Sequence, residues 1–562
     1  MKSFKLLAAI FLMAGLVTSA ASIPTPQNDD SRKNTPSRPA VGTSGMVSSA
    51  HPLATQAGLD ALATGGNAFD AAVAVAATLG VVEPMMSGIG GYGTIMVYDA
   101  SKRESLFLNC SGRIPASLNS DVFRAPAPDY MKNRVSAKSI STPGNVNAWE
   151  AMWKRYGKLK WKNLFDSAIK AADEGFVITE SNARFIKAGF DGFPDHAKII
   201  YGRGSEPLKA GDNLVQKDLA KTLQLISSHG AKVIHGGEIG RMIDREMREA
   251  GSFLTLDDLR RNRAEWYKPI SIKYRDYEVI TSSPPANSFD MLVRLGMMSR
   301  FDAKSAAHNS TAYLHRFAEV TKHGFWVRLR YASDPEIESL PIRELLSERY
   351  WSNEVAKIDP QRVRPFVPPA TRTKQGDHTT HFVVADRWGN VVSATQTLGG
   401  PFGSRVMAKG TGIWLNNSLA YSTFEPKGNP MDAFPGRHKL SGDCPTLIMR
   451  DGKLWIAIGT PGGHTIAQTV AQMIINIIDF RMDVQQAITA GRISFVEPDA
   501  LSIEESIPES VRKEMTAMGH NVRVVQRIGN AHGLGVEYDS AGRVVRLTGG
   551  ADPRGEGLAM GY

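Results

Sequence analysis

The sequence holds only two cysteines, Cys110 and Cys444, in 562 residues. That excludes a disulfide scaffold and a cysteine-based structural zinc site, so an apolar core must hold the chain together. Long apolar runs are also missing. Leu6–Val17 and Phe69–Val82 both fall short of the ~20 residues that a membrane-crossing helix needs. The formal net charge is +10, but basic residues are scattered apart from short runs such as Arg260–Arg263. No nucleic-acid partner is indicated; the reading is a mildly basic, soluble surface. No internal repeat period is evident.

What is present is ordinary globular composition, 42% hydrophobic and 22% charged, with ample material for a large core. The first residues differ. Lys2 and Lys5 precede the apolar Leu6–Val17, and the small residues Ser19, Ala20, Ala21 and Ser22 follow. This predicts a signal peptide over 1–21, hence a periplasmic or secreted protein with no stable span after its removal. Losing Lys2 and Lys5 lowers the net charge from +10 to +8. Residues 22–44, rich in Pro, Ser, Asn and Asp at their start, read as a disordered leader.

Further along, the apolar spacing predicts a helix over Pro52–Gly66 that Gly65-Gly66 closes, and a second, almost uncharged and buried one over Phe69–Val82. Residues 146–189 and 218–251 read as mainly helical. From Pro365 the texture changes. Residues 365–377 are polar and proline-rich, the composition of an exposed, mobile linker. Strand hairpins follow: His381–Asp386 with Val391–Leu398, Thr446–Met449 with Leu454–Ile458, and Gly533–Tyr538 with Val544–Thr548. The second hairpin runs through Thr460-Pro461-Gly462-Gly463 into a helix over Thr465–Phe480. Helices thus come first and strands dominate the final third.

Several constellations could carry chemistry. Gly88, Gly90 and Gly93 have the dinucleotide spacing, but they follow a helix and precede a strand, the reverse of what pyrophosphate binding requires. Close backbone packing is the better reading. His378 and His381 lack a helix to align them and a third ligand, so no metal is expected, nor any cofactor. Thr379-Thr380 stands where the linker meets a core strand. A hydroxyl there is well placed for backbone self-cleavage, and the freed Thr379 would carry its own base, an α-amine titrating near ~7.7–8.0. Taken alone, a threonine pair in a strand reads first as plain β-structure. Gly462-Gly463, between a strand end and a helix start, could present N–H groups to an oxyanion or form only a tight turn.

Together these residues resemble the γ-glutamyltransferase family, the γ-glutamyltranspeptidases or glutathione hydrolases. The likeness runs through Ala54–Asp60, Gly65–Ala72, Ser87–Gly91, Thr379-Thr380-His381, Asp386–Asn390, Leu415-Asn416-Asn417, Pro461–Gly463 and the ending Ala551–Arg554 to Gly561-Tyr562. The resemblance implies an α+β fold, the four-layer αββα sandwich of N-terminal-nucleophile hydrolases. It implies a precursor cut between His378 and Thr379 into a large subunit, 45–378, and a small catalytic subunit, 379–562, that stay together as a heterodimer. Thr379 would attack a γ-glutamyl amide, Thr397 would support it, and the N–H groups of Gly462 and Gly463 would hold the oxyanion. Water, or an amino acid or peptide amine, would accept the acyl group. Arg113 aligns with the arginine that pairs with the glutamyl α-carboxylate, and Ser441 with a serine that binds it.

The sequence also departs from the family pattern. Ser418 and Tyr421 stand where a glutamine and an aspartate usually grip the substrate α-amine. Gly399 replaces an asparagine, and Gly442 the second serine of a pair. Asp443 or Glu425 could supply the missing anionic contact, or the acyl specificity has shifted, as in a cephalosporin-acylase-like amidase. A different class also stays open, an uncleaved homologue that only binds γ-glutamyl ligands. Cys110 and Cys444 lie three residues from Arg113 and Ser441 respectively, so a shared pocket would bring the thiols within bridging distance.

Overall fold

The computed structural model describes residues 38–369 and 378–562 of the continuous chain. The expected signal peptide, most of the leader and linker residues 370–377 lie outside the described residues.

Period-2 alternation along the strands sorts side chains into three cores. In the strand His378–Asp386, Phe382 and Val384 enter one core while Val383 and Ala385 enter another. This strand lies inside a seven-stranded sheet. Its order is Leu558–Gly561, Gly45–Ser49, His378–Asp386, Val391–Gly399, Tyr92–Asp99, Glu104–Asn109 and Glu265–Tyr267. A second seven-stranded sheet runs Ala40–Gly42, Val544–Ala551, His532–Tyr538, Lys453–Gly459, Thr446–Arg450, Tyr277–Thr281 and Ile270–Tyr274. Val383 and Met96 of the first sheet meet Leu447 and Leu534 of the second in the core between them. Helices cover both outer faces. Pro52–Ala63, Ala68–Val82 and Lys217–His229 pack on the first sheet. Phe289–Met298, Thr311–Tyr331 and Ile466–Ile478 pack on the second. The fold is the expected four-layer αββα sandwich.

Local chemistry explains these elements. Asn67 caps the helix Ala68–Val82 in a reciprocal capping box with Asp70, and every helix residue except Gly80 is buried. A helix apolar all round belongs inside a layer rather than on a surface. The carboxylate of Asp386, at the hairpin turn, accepts the Ala68 N–H at 3.0 Å, which ties this helix to the strand that carries Thr379.

One expectation is corrected, and the question of the cysteines is answered. The leader does not extend to 44: Ala40–Gly42 already forms an edge strand, paired antiparallel with Leu547–Gly549. Its backbone groups are satisfied by a neighbouring strand instead of water. The cysteines are not bridged; both are free and buried. Cys110 belongs to the outer core of the first sheet and Cys444 to that of the second, where Thr281 and Thr446 contact its sulfur at 3.6 and 3.7 Å.

Candidate active site

Thr379 is the second residue of its strand. His378 lies opposite Gly399 and Thr380 opposite Gln396, so Thr397 and Leu398 together face Thr379 in a bulge. The bulge brings the Thr397 hydroxyl to the His378–Thr379 peptide. Thr379 Oγ1 donates to Thr397 Oγ1 at 3.2 Å, and Thr397 Oγ1 donates to the His378 carbonyl at 2.8 Å. The Gly399 N–H also donates to Thr397 Oγ1, at 2.8 Å. One proton given and two lone pairs used exhaust what a hydroxyl can do. The bulge thereby fixes the Thr379 hydroxyl and the His378 carbonyl in one network.

Gly399 has a local reason. Its φ is +99°, and a Cβ there would stand 2.2 Å from Asn417 Oδ1, which instead accepts the Gly400 N–H at 2.7 Å. The Asn417 carboxamide fills the space that a side chain at 399 would need. The glycines read as close-packed behave likewise: Gly90 forms a parallel bridge to Leu415, and a Cβ at Gly93 would lie 2.3 Å from the Thr395 carbonyl.

From the second sheet, Lys453–Gly459 leads to the turn at Thr460–Gly463. Gly462 and Gly463 have φ of +137° and +55°, values that side chains resist. Among the described residues neither N–H has a hydrogen-bond acceptor. Thr379 and Gly462 share a cavity of about 300 Å³ whose walls include His378, Glu83, Phe185 and Arg527. Glu83 accepts from Thr380 Oγ1 at 2.9 Å, and burial pushes its carboxyl up to about 7. Burial, with Arg527 and Arg184 adding to it, pushes His378 down to about 4, so its ring is neutral. His378 packs edge-on against Phe185, whereas His381 lies against Gly459 and bonds Thr395 Oγ1 at 2.8 Å. The two imidazoles point to opposite faces of the strand and share no centre.

Tyr421, Ser441 and Gly442 lie outside this cavity, in a neighbouring group. Thr397 pairs in register with Tyr92, and two residues on, Thr94 Oγ1 lies 3.4 Å from Ser441 Oγ. Ser441 Oγ accepts the Asp443 N–H at 3.0 Å, and a Cβ at Gly442 would stand 2.8 Å from the Arg328 guanidinium. Burial raises Asp443 to about 6, although Lys439, Ser441, Thr94 and Arg328 all favour its ionised form. The buried Lys439 ammonium lies 4.1 Å from the Tyr92 ring centroid and 5.0 Å from that of Tyr421. Ser418 is fully buried and bonds Ser141 Oγ, turned away from these groups.

Arg113 is engaged. Glu336 grips its guanidinium through two bonds, at 3.0 and 2.9 Å, and Glu265 adds a third at 3.1 Å. The Arg113 bond holds Glu336 down to about 2. Arg113 therefore carries two protein carboxylates in the continuous chain. Glu425, joined to Pro426 by a cis peptide, acts on Arg134.

Sequence reasoning missed Glu83, Lys439, Glu336 and Arg527. Only Glu83 gave a signal, as the first charge after the twelve uncharged residues that follow Asp70.

The family model for gamma-glutamyltranspeptidase matches residues 54–562. The Escherichia coli K12 glutathione hydrolase proenzyme is 31% identical, over 99% of this chain and 98% of its own. The acylase ACY 1 proenzyme of Pseudomonas sp. strain V22 is 34% identical, over 93% and 94% respectively. Among solved structures, cephalosporin acylase from Bacillus halodurans superposes with a TM-score of 0.85 at 27% identity, covering 97% of this chain and 99% of its own. With the match spanning nearly the whole chain, over a sandwich that sets Thr379 beside Thr397 and Gly462, this protein belongs to the gamma-glutamyltranspeptidase family.

Proposed function

We propose that this chain is an exported, self-cleaving amidase that hydrolyses or transfers γ-glutamyl groups through Thr379. One observation carries the reading: the Thr397 hydroxyl bridges Thr379 Oγ1 and the His378 carbonyl. In maturation, Thr379 Oγ1 attacks that carbonyl carbon, which the Thr397 hydrogen bond polarises. The C–N bond breaks, leaving an ester on Oγ1 and a free α-amine. Water then cleaves the ester, and the carboxylate stays on His378. Strands from before and after the cut share one sheet, with His378–Asp386 between Gly45–Ser49 and Val391–Gly399, so the two chains remain associated.

In catalysis the α-amine takes the Thr379 hydroxyl proton as the oxygen attacks the donor amide. The N–H groups of Gly462 and Gly463 receive the oxyanion, at a typical worth of about 2.7–4 kcal/mol in the transition state. The amine leaves with a proton, and water or a second amine takes the acyl group. Of the described helices, none is long and apolar enough to cross a membrane, and the basic, apolar start supplies the export signal.

A second reading, an acyl group without an α-amine, is favoured by Lys439. Its ammonium already sits beside Asp443, the carboxylate best placed to receive such an amine.

Intact mass with N-terminal sequencing tests the proposal. Two chains, one beginning at Thr379, together with release of anilide from a γ-glutamyl donor, are expected. A single uncut chain, or normal cutting in Thr379→Ala, overturns the assignment of Thr379.

A further inference from the structure

Self-cleavage leaves one proton unassigned. In the continuous chain the Thr379 nitrogen belongs to a peptide bond, so the α-amine that later serves as base does not yet exist. A group already in place must take the proton from Thr379 Oγ1 and return it to the departing nitrogen. Thr397 Oγ1 is no substitute, being a hydroxyl with both lone pairs occupied. The cavity beside Thr379 is lined by three side chains able to serve as a base: Glu83, His378 and Glu556.

Glu83 breaks two local rules. It is the C-cap residue of the helix Ala68–Val82, where its N–H donates to the Leu79 carbonyl. A carboxylate at that end faces the negative pole of the helix dipole. It is also desolvated, and among the described residues its carboxylate receives a single hydrogen bond, from Thr380 Oγ1 at 2.9 Å. A residue set against its local preferences in this way points to function. The one bond it has ties it to the residue after Thr379, on the strand that carries the peptide to be cut.

The other two groups fit less well. His378 Nδ1 is buried without a hydrogen-bond partner among the described residues, but its ring, pushed down to about 4 by burial and by Arg527 and Arg184, is a weak base at neutral pH. Glu556 accepts the Ser181 N–H at 3.2 Å and acts on Arg527. For Glu83, burial outweighs the Thr380 hydrogen bond and, with Glu556 adding to it, lifts the carboxyl to about 7. A group balanced near working pH both takes and returns a proton readily.

We propose that Glu83 carries the proton of self-cleavage, taking it from the Thr379 hydroxyl and delivering it to the Thr379 nitrogen through a water in the cavity. The inference rests on Thr379 as nucleophile. A polar cavity of about 300 Å³ has room for that water. As the bond from Thr379 Oγ1 to the His378 carbonyl carbon forms, the hydroxyl proton passes by way of the water to the Glu83 carboxylate. As the C–N bond breaks, the Glu83 carboxyl gives that proton to the nitrogen. An ester and a free amine remain, Glu83 is ionised again, and no proton is gained or lost.

The test follows the cutting of precursor made by cell-free synthesis, read by intact mass against time from about pH 5 to about pH 9. Only ionised Glu83 accepts a proton, so the wild-type rate should rise with pH and level off above about 7. Glu83→Gln keeps an acceptor for Thr380 and deletes the base, so cutting should slow by about 10²-fold and lose the rise. Glu83→Asp should recover part of the rate. Glu556→Gln removes a carboxylate that lifts Glu83, so the midpoint of the rise should move to lower pH. Cutting at the wild-type rate in Glu83→Gln, a slow variant that keeps the wild-type pH profile, or a midpoint indifferent to Glu556 would each overturn the proposal. A wild type that stays uncut at every pH would instead remove the Thr379 reading, and the role of Glu83 with it.

Discussion

Thr397 Oγ1 lies 2.8 Å from the His378 carbonyl oxygen, with the Thr379 hydroxyl donating to it from 3.2 Å. One side chain thus touches both the carbonyl and the hydroxyl that the proposed self-cleavage would join.

Thr397→Val removes that bridge while keeping the volume. It strands the Gly399 N–H and frees the Thr379 hydroxyl, so self-cleavage should slow by about 10²-fold, the usual cost of losing one donor to a developing oxyanion. Leaving a buried N–H unpaired should also cost about 1–3 kcal/mol of stability. Thr397→Ser should recover most of the rate. The readout is intact mass against time after purification; cutting at the wild-type rate in the valine variant would remove Thr397 from the mechanism.

Arg113 is expected to hold the substrate carboxylate, yet Glu336 already makes two bonds to it. A substrate must compete with that internal carboxylate. Glu336→Gln should lower KM about threefold to tenfold for carboxylated acyl donors, and Arg113→Lys, which loses the planar fork, should raise it about tenfold. Steady-state kinetics on both variants checks this. KM unmoved in either would make Arg113 a structural tie for Glu336 and Glu265.

The sequence made the strands and the nearly uncharged helix Ala68–Val82 legible because their patterns are local, whereas the layers came with the resemblance. It also placed Thr379 at a linker–strand junction and Gly462 at a strand-to-helix turn, and the resemblance added Thr397. Partnerships across hundreds of residues were not legible. Nothing near Arg113 announces Glu336, and nothing near Asp443 shows that Lys439 would be sealed between two tyrosines. Whether the cysteines bridge was not legible for the same reason: nearness to Arg113 and Ser441 in sequence says nothing about which sheet face each thiol enters.

Glu83 gives a pH signature. Burial lifts its carboxyl from an ordinary 4.5 to about 7 in the folded chain. A raised folded pKa contributes stability that is present below about 4.5 and is lost as pH rises through about 7. Glu83→Gln keeps a partner for the Thr380 hydroxyl without the charge. Relative to wild type it should gain about 2 kcal/mol between pH 4.5 and pH 8. Urea midpoints at both pH values measure this, and parallel changes in the two proteins would show that Glu83 does not titrate in that window.

Lys439 is expected to decide the acyl group. Its ammonium is buried between Tyr92 and Tyr421 and is the strongest of the influences that keep Asp443 ionised. A substrate α-amine seeking Asp443 would meet a like charge in a low-dielectric site, while an acyl group without that amine would not. In wild type, kcat/KM for a glutaryl anilide should therefore exceed that for the matching γ-glutamyl anilide. Lys439→Met keeps the apolar stem against both rings and deletes the charge, so the ratio should shift toward the γ-glutamyl donor by about tenfold. A shift in KM with kcat nearly constant would place the effect in binding. If the ratio stays where it was, Lys439 only packs against the tyrosines, and the choice of acyl group rests with Arg113 and Ser441.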